Sequence, residues 1–180
     1  MTSTDQAGSS PEQSHRTRQQ PGPAQHHDVT HYLEQAVELA TLNVGDGGGP
    51  FGAVVVTPDG GVHSGVNRVT RDNDPTAHAE VVAIRAAAAA TAGFDLTGSV
   101  LYASCEPCPM CLASALWARI GRVHFAADRH GAAAAGFDDA LFYDYFAGAL
   151  PDLMPVTRDD IPTSDVPFET WRAFDSRREY

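Results

Sequence analysis

Two short segments of this chain concentrate residue types that do chemistry. One reads Pro75-Thr76-Ala77-His78-Ala79-Glu80, and the other Cys105-Glu106-Pro107-Cys108-Pro109-Met110-Cys111. Cys108 and Cys111 are three apart, a spacing that puts two sulfurs on one face of a helix. Pro109 between them suits a first helical turn, where the missing N–H has no intrahelical partner to lose. His78 supplies a third ligand. Three protein ligands leave a fourth zinc position for water, the pattern of a catalytic rather than a structural site. Glu80 need not bind the metal. A carboxylate beside it can take a proton from water and deliver it elsewhere.

Spacing also constrains the geometry. Along a regular helix His78 and Glu80 point roughly 200° apart. Both can serve one site only if the end of the helix, not its side, faces the metal. The site is therefore expected at two helix N-termini, whose partial positive charge favours thiolates.

Other readings of the same residues stand beside this one. Cys105/Cys108 and Cys108/Cys111 both have C-x-x-C spacing, so a non-catalytic zinc or redox module is the alternative from a different class. A structural zinc wants a fourth ligand, and the sequence has no second C-x-x-C pair. Cys105 reads as a small buried hydrophobe. His63 and His124 fall in strands and read as half-exposed strand residues, and His26, His27 and His31 as a solvated tail.

These segments need elements to hold them. Residues 1–27 are rich in Ser, Gln, Pro, Gly and His and carry almost no large apolar side chains. That composition predicts a disordered tail, followed by one domain over 28–180. Val29, Leu33, Val37, Ala40 and Val44 recur at helical spacing, which predicts a helix over 28–44. Strands are expected over 51–56 and 62–69, joined by a turn at Pro58-Asp59-Gly60-Gly61. A helix over 76–92 with Thr76 as its N-cap follows, then a strand over 100–104, a helix over 109–120 and a strand over 123–127. Helices over 138–150 and 166–178 flank a last short strand at 154–157. The order describes an α/β sandwich, a mixed sheet covered by helices.

Composition narrows the partners. The net charge is −11. The stretch 138–180 holds ten acids against four arginines. A phosphate-backbone partner would want clustered cations, so nucleic acid is disfavoured and a small neutral substrate fits. No apolar run is long enough for a membrane helix. The N-terminus does not read as a secretory signal, and the expected location is cytoplasmic.

Together, H-x-E and P-C-x-x-C resemble the zinc-binding signature of the cytidine deaminase-like superfamily. The resemblance covers about 28–180 and implies a three-layer α/β/α sandwich with a five-stranded mixed sheet, one zinc per chain and a homodimer. Within the superfamily the chain is similar to bacterial zinc-dependent guanine deaminases. Pro109-Met110 between the cysteines, Trp117-Ala118-Arg119-Ile120, Ala135-Gly136-Phe137-Asp138-Asp139 and the terminal Arg178-Glu179-Tyr180 carry that likeness. It implies zinc on His78, Cys108 and Cys111, with Glu80 and Asp139 as proton carriers. Asn67 then hydrogen-bonds the base, Phe51, Ala79 and Trp117 border it, and Tyr180 closes the site. The segment about 158–180 would form that closure, on its own or a neighbouring subunit. The implied reaction is guanine to xanthine plus ammonia. Guanosine, cytosine and aminotriazines are the alternative substrates, with tRNA adenosine ranked below them.

Overall fold

The computed structural model of the protein describes residues 28–180. The tail expected over residues 1–27 lies outside the described residues. Helix α1 (Val29–Gly45) starts where Asp28 accepts from the Thr30 and His31 amides. Strands β1 (Gly52–Val56) and β2 (Val62–Val66) form an antiparallel pair. A short helix α2 (Val69–Asp72) precedes α3 (Ala79–Ala90). Then come β3 (Val100–Cys105), α4 (Pro109–Trp117) and β4 (Arg122–Ala127). Helices α5 (Arg129–Ala134), α6 (Ala140–Phe146) and α7 (Val166–Ala173) complete the chain.

The sheet order is β2-β1-β3-β4, antiparallel except for the parallel β3–β4 pair. β1 is buried throughout, because it is covered on both sides. Val54, Val56 and Tyr102 point to one face and pack with Ala36 of α1. Ala53, Val55 and Leu101 point to the other, against Ala79, Ala83 and Ala87 of α3 and Ala115 of α4. That alternation is the period-two signature of strands sandwiched between helix layers.

Two glycines set how closely the layers approach. A Cβ on Gly52 would stand 2.3 Å from the Ala36 carbonyl oxygen, and one on Gly65 would stand 2.3 Å from that of Ala79. Glycine in β1 thus admits the backbone of α1, and glycine in β2 admits α3 from the opposite face. Gly65 also fixes the height of Ala79, the first residue after His78.

Several expectations are corrected. Among the described residues the sheet has four strands, not five. Met154 is extended, but the stretch 154–157 is exposed and pairs with nothing in the sheet. Pro155 deprives that stretch of a ladder donor. β2 ends at Val66 rather than at 69, because Asn67 and Arg68 turn the chain into α2. Thr76 is not the cap of α3. Its amide and hydroxyl both bond the Asp74 carboxylate (2.8 and 2.7 Å), and the helix begins two residues later. Helix α5 was not foreseen. No helix among the described residues is long and apolar enough to cross a membrane.

Candidate active site

His78 is the N-cap of α3 and Cys108 the N-cap of α4. Both have extended backbones, with ψ of 153° and 168°, and neither side chain caps its own helix. The imidazole and the thiol are therefore free to turn toward each other. Cys111 lies one turn into α4, fully buried. The three ligand atoms form a nearly equilateral triangle. Cys108 Sγ is 3.6 Å from Cys111 Sγ and 3.6 Å from His78 Nδ1, and Cys111 Sγ is 3.5 Å from His78 Nδ1. Tetrahedral zinc, with bonds of about 2.3 Å to sulfur and about 2.0–2.1 Å to nitrogen, sets such atoms about 3.6–3.8 Å apart. The triad matches that spacing, and it is the one cluster of metal-ligating groups found among the described residues.

The electrostatics fit the same reading. Hydrogen bonding to Cys111 and His78 draws the Cys108 thiol down to about 4, and the bond to Cys108 together with burial pushes Cys111 upward. The bond to Cys108 raises His78. Glu80, in the first turn of α3, is 7% exposed, and burial pushes its carboxyl above the ordinary range. A carboxyl poised in that way can hold a proton in one step and release it in the next.

These groups open into a cavity of about 290 Å³. His78, Glu80, Cys105, Cys108, Phe51, Asn67, Phe137 and Asp139 are among the residues that line it. Phe51 and Phe137 meet edge to face with centroids 5.0 Å apart. The Asn67 backbone is locked. Its amide bonds Phe51 O, and its carbonyl accepts from the buried Asn43 side chain at 2.8 Å. Its Oδ1 accepts from Val69 N–H at 3.3 Å. Asp139 Oδ1 is buried and finds no hydrogen-bond partner, and burial followed by the Cys108 charge raises its carboxyl. A buried acceptor of this kind, beside a metal triad, is what a substrate amine would satisfy.

The structure thus brings together seven of the expected residues: His78, Glu80, Cys108, Cys111, Asn67, Asp139 and Phe51. Three lie elsewhere. Ala79 is fully buried in the core against β2 and does not line the cavity. Trp117 ends α4, about 13.5 Å along the helix from Cys108, and is 66% exposed. Tyr180 lies against Trp117 and Phe94, with centroids 5.9 and 6.2 Å apart, and not over the cavity. Within one chain, then, neither aromatic borders the site. Both are held at the far end of α4 from the metal triad.

Cys105 is buried, with its Sγ directed at Asp128 O (3.6 Å), outside the ligand triad. His63 and His124 are half-buried in strands, and His124 stacks on Tyr102. Sequence reasoning missed Phe137 as a wall of the cavity, although it stands two residues before Asp139. It also missed Asn43, a polar residue in the apolar pattern of α1. That break in the pattern was its visible signal.

The family model described as the cytidine and deoxycytidylate deaminase zinc-binding region matches residues 26–127. A guanine deaminase of Bacillus subtilis is 44% identical over 151 residues, covering 83% of this chain and 97% of that protein. The X-ray structure of guanine deaminase from Bacillus subtilis superposes with a TM-score of 0.79 over 84% of this chain and 98% of that one. A second solved structure, of the protein NE0047 in complex with 2,6-diaminopurine, is 32% identical over 62% of each chain, with a TM-score of 0.58.

Proposed function

The chain belongs to the family of the cytidine and deoxycytidylate deaminase zinc-binding region, and from that footing we propose that it hydrolyses guanine to xanthine and ammonia. One observation carries the reading. His78 and Cys108 of the metal triad, the buried Glu80, Asp139 with its unpartnered oxygen and the anchored Asn67 all line one cavity whose volume is at the lower end for ligand sites. Such a space suits a single heterocycle. The 44% identical relative that bears the name guanine deaminase supports the choice of base.

Zinc bound by His78, Cys108 and Cys111 would supply Lewis-acid activation of water. The protein does the rest. Phe51 and Phe137 offer apolar walls to the purine, and the Asn67 side chain bonds its polar edge. Glu80 accepts a proton from the water that adds to C2 and passes it to N3. Glu80 or Asp139 then takes the proton of the new C2 hydroxyl and delivers it to the amine as the C2–N bond breaks, leaving a C2 carbonyl. Water's oxygen stays on C2 and ammonia leaves, so atoms and charge balance.

The C-terminal part completes the reading. From Ala147 onward every residue is exposed except the half-buried Arg177, and Val156, Ile161, Phe168, Trp171 and Phe174 present apolar surface. That much uncovered apolar surface implies a partner. We take the partner to be a second copy, with the segment about 158–180 closing the neighbouring subunit's cavity. A homodimer of that kind accounts for Trp117 and Tyr180 lying far from their own metal triad.

An ammonia-release screen over guanine, guanosine, cytosine, cytidine, adenine, adenosine and aminotriazines tests the substrate. Guanine is expected to be the preferred compound. No guanine turnover alongside clear activity on another compound would overturn the choice.

A further inference from the structure

Helices α5 and α6 carry Phe137 and Asp139 to the cavity, yet neither helix has a buried residue. Apart from the ring contact of Phe137 with Phe51, no buried apolar side chain fixes them in place. A chain of polar contacts does. Arg129, the first residue of α5, donates to the Glu106 carboxylate from its backbone N–H (3.1 Å), from Nε (3.0 Å) and from Nη2. The same guanidinium lies 3.6 Å from the ring centroid of Tyr143 in α6. The Tyr143 hydroxyl donates to Pro107 O at 2.7 Å. Glu106 and Pro107 are the two residues before Cys108, and Pro107 is fully buried and conformationally fixed.

Asp139, by contrast, does not cap α6 with its side chain, and its Oδ1 is unpartnered. It stands one residue before α6. The place of its carboxylate therefore follows from where α6 sits, and α6 is tied to the loop before Cys108 through Tyr143 and Arg129. We propose that Glu106, Arg129 and Tyr143 are positioning residues, a clamp that registers Asp139 against the metal triad. The inference rests on the reading of Asp139 as a proton carrier. None of the three is assigned a proton transfer. Each acts through the geometry of Asp139, for which displacement by about 1 Å can cost on the order of 100-fold in rate.

The test is a double-mutant cycle with Tyr143→Phe and Asp139→Asn. Tyr143→Phe deletes only the hydroxyl and keeps the ring under Arg129. Ammonia release, zinc content, thermal midpoint and amide hydrogen exchange are measured on the zinc-loaded proteins. Tyr143→Phe is expected to lower kcat roughly 10- to 100-fold, with KM and zinc content close to wild type. Exchange should quicken across 138–146 but not in α3 or α4. In the Asp139→Asn background the same change should add little, because the clamp has nothing left to position.

Wild-type kcat in Tyr143→Phe, or losses that multiply in the double variant, overturns the clamp alone. Wild-type kcat in Asp139→Asn overturns the role of Asp139 and the clamp together. A drop in zinc content that accounts for the lost turnover also overturns it, since the contacts would then serve Cys108 instead.

Discussion

His78 and Cys108 occupy equivalent places in the fold. Each is the extended N-cap of a helix, and the Nδ1 of one lies 3.6 Å from the Sγ of the other. Two helices from one face of the sheet therefore aim their N-termini at a single point. Positive helix ends favour the thiolates, and a ligand placed at a cap costs the helix no interior position. Glu80 reaches the same point from the first turn of α3. The two-residue separation that is awkward along a helix face becomes serviceable at a helix end.

Metal removal should cost stability as well as activity. Cys111 is fully buried and Cys108 nearly so, and the triad ties α3 to α4. A ligand present at about 1,000-fold above its Kd stabilises the fold by about 4 kcal/mol, which for a chain of this size is roughly 10 °C of thermal midpoint. Chelation is expected to lower the midpoint by about that much, and zinc to restore it. An unchanged midpoint in calorimetry after complete removal of the metal would contradict the account.

Gly65→Ala tests the layer spacing. The added methyl would press on the Ala79 carbonyl and the Ala83 amide, both backbone atoms that cannot swing aside. A loss of about 2 kcal/mol is expected, together with weaker zinc retention because Ala79 adjoins His78. Chemical denaturation and metal analysis of the variant measure both.

The Glu106–Arg129 pair carries a pH signature. Hydrogen bonds from Arg129 hold the Glu106 carboxyl below its ordinary value of 4.5. A depressed carboxyl stabilises the fold above that ordinary value, and the contribution is lost as pH falls through the folded-state value. Unfolding midpoints taken from pH 6 down to pH 3 should fall more steeply for the wild type than for Glu106→Gln. Parallel curves would remove the pair from the stability account.

Asn67→Ala addresses base recognition. Its backbone is held by Phe51 and Asn43, so the loop should keep its course when the side chain is cut, although Val69 N–H loses its bond to Oδ1. Loss of a hydrogen bond to substrate is worth about 1–3 kcal/mol, or about 10- to 100-fold in kcat/KM. Steady-state kinetics with guanine measure the effect, and a wild-type kcat/KM would exclude the contact.

The sequence made the reaction centre legible and left its surroundings less so. His78, Glu80, Cys108 and Cys111 could be read because metal ligation demands particular residue types at particular spacings. Their placement at helix ends followed from the 200° problem alone. The fifth strand failed because extended propensity at Met154 does not supply a partner, and Pro155 removes a donor. Helix α5 was hidden in Arg129-His130-Gly131-Ala132-Ala133-Ala134, too short to show a period. It is held by Glu106, more than twenty residues earlier in the chain. Trp117 and Tyr180 illustrate a further limit. Resemblance implied aromatic residues at the base, but where those side chains lie depends on the tertiary path of the C-terminal segment, which local pattern does not encode.

Deleting residues 158–180 tests that segment. The core is complete without it, since none of these residues is buried. The shortened protein is expected to fold and bind zinc, and to lose most of its guanine turnover. It should also dimerise less strongly, as light scattering on a sizing column would show. Full turnover by the shortened protein would exclude a closing role.

Glu80→Gln is the most direct measurement. The amide keeps the size of the carboxyl, removes its proton chemistry and leaves His78, Cys108 and Cys111 untouched. The account predicts zinc content and a thermal midpoint near those of the wild type, with ammonia release from guanine lowered by at least about 1,000-fold. Turnover within a few-fold of the wild type, in a variant shown to hold its zinc, would contradict Glu80 as the proton carrier.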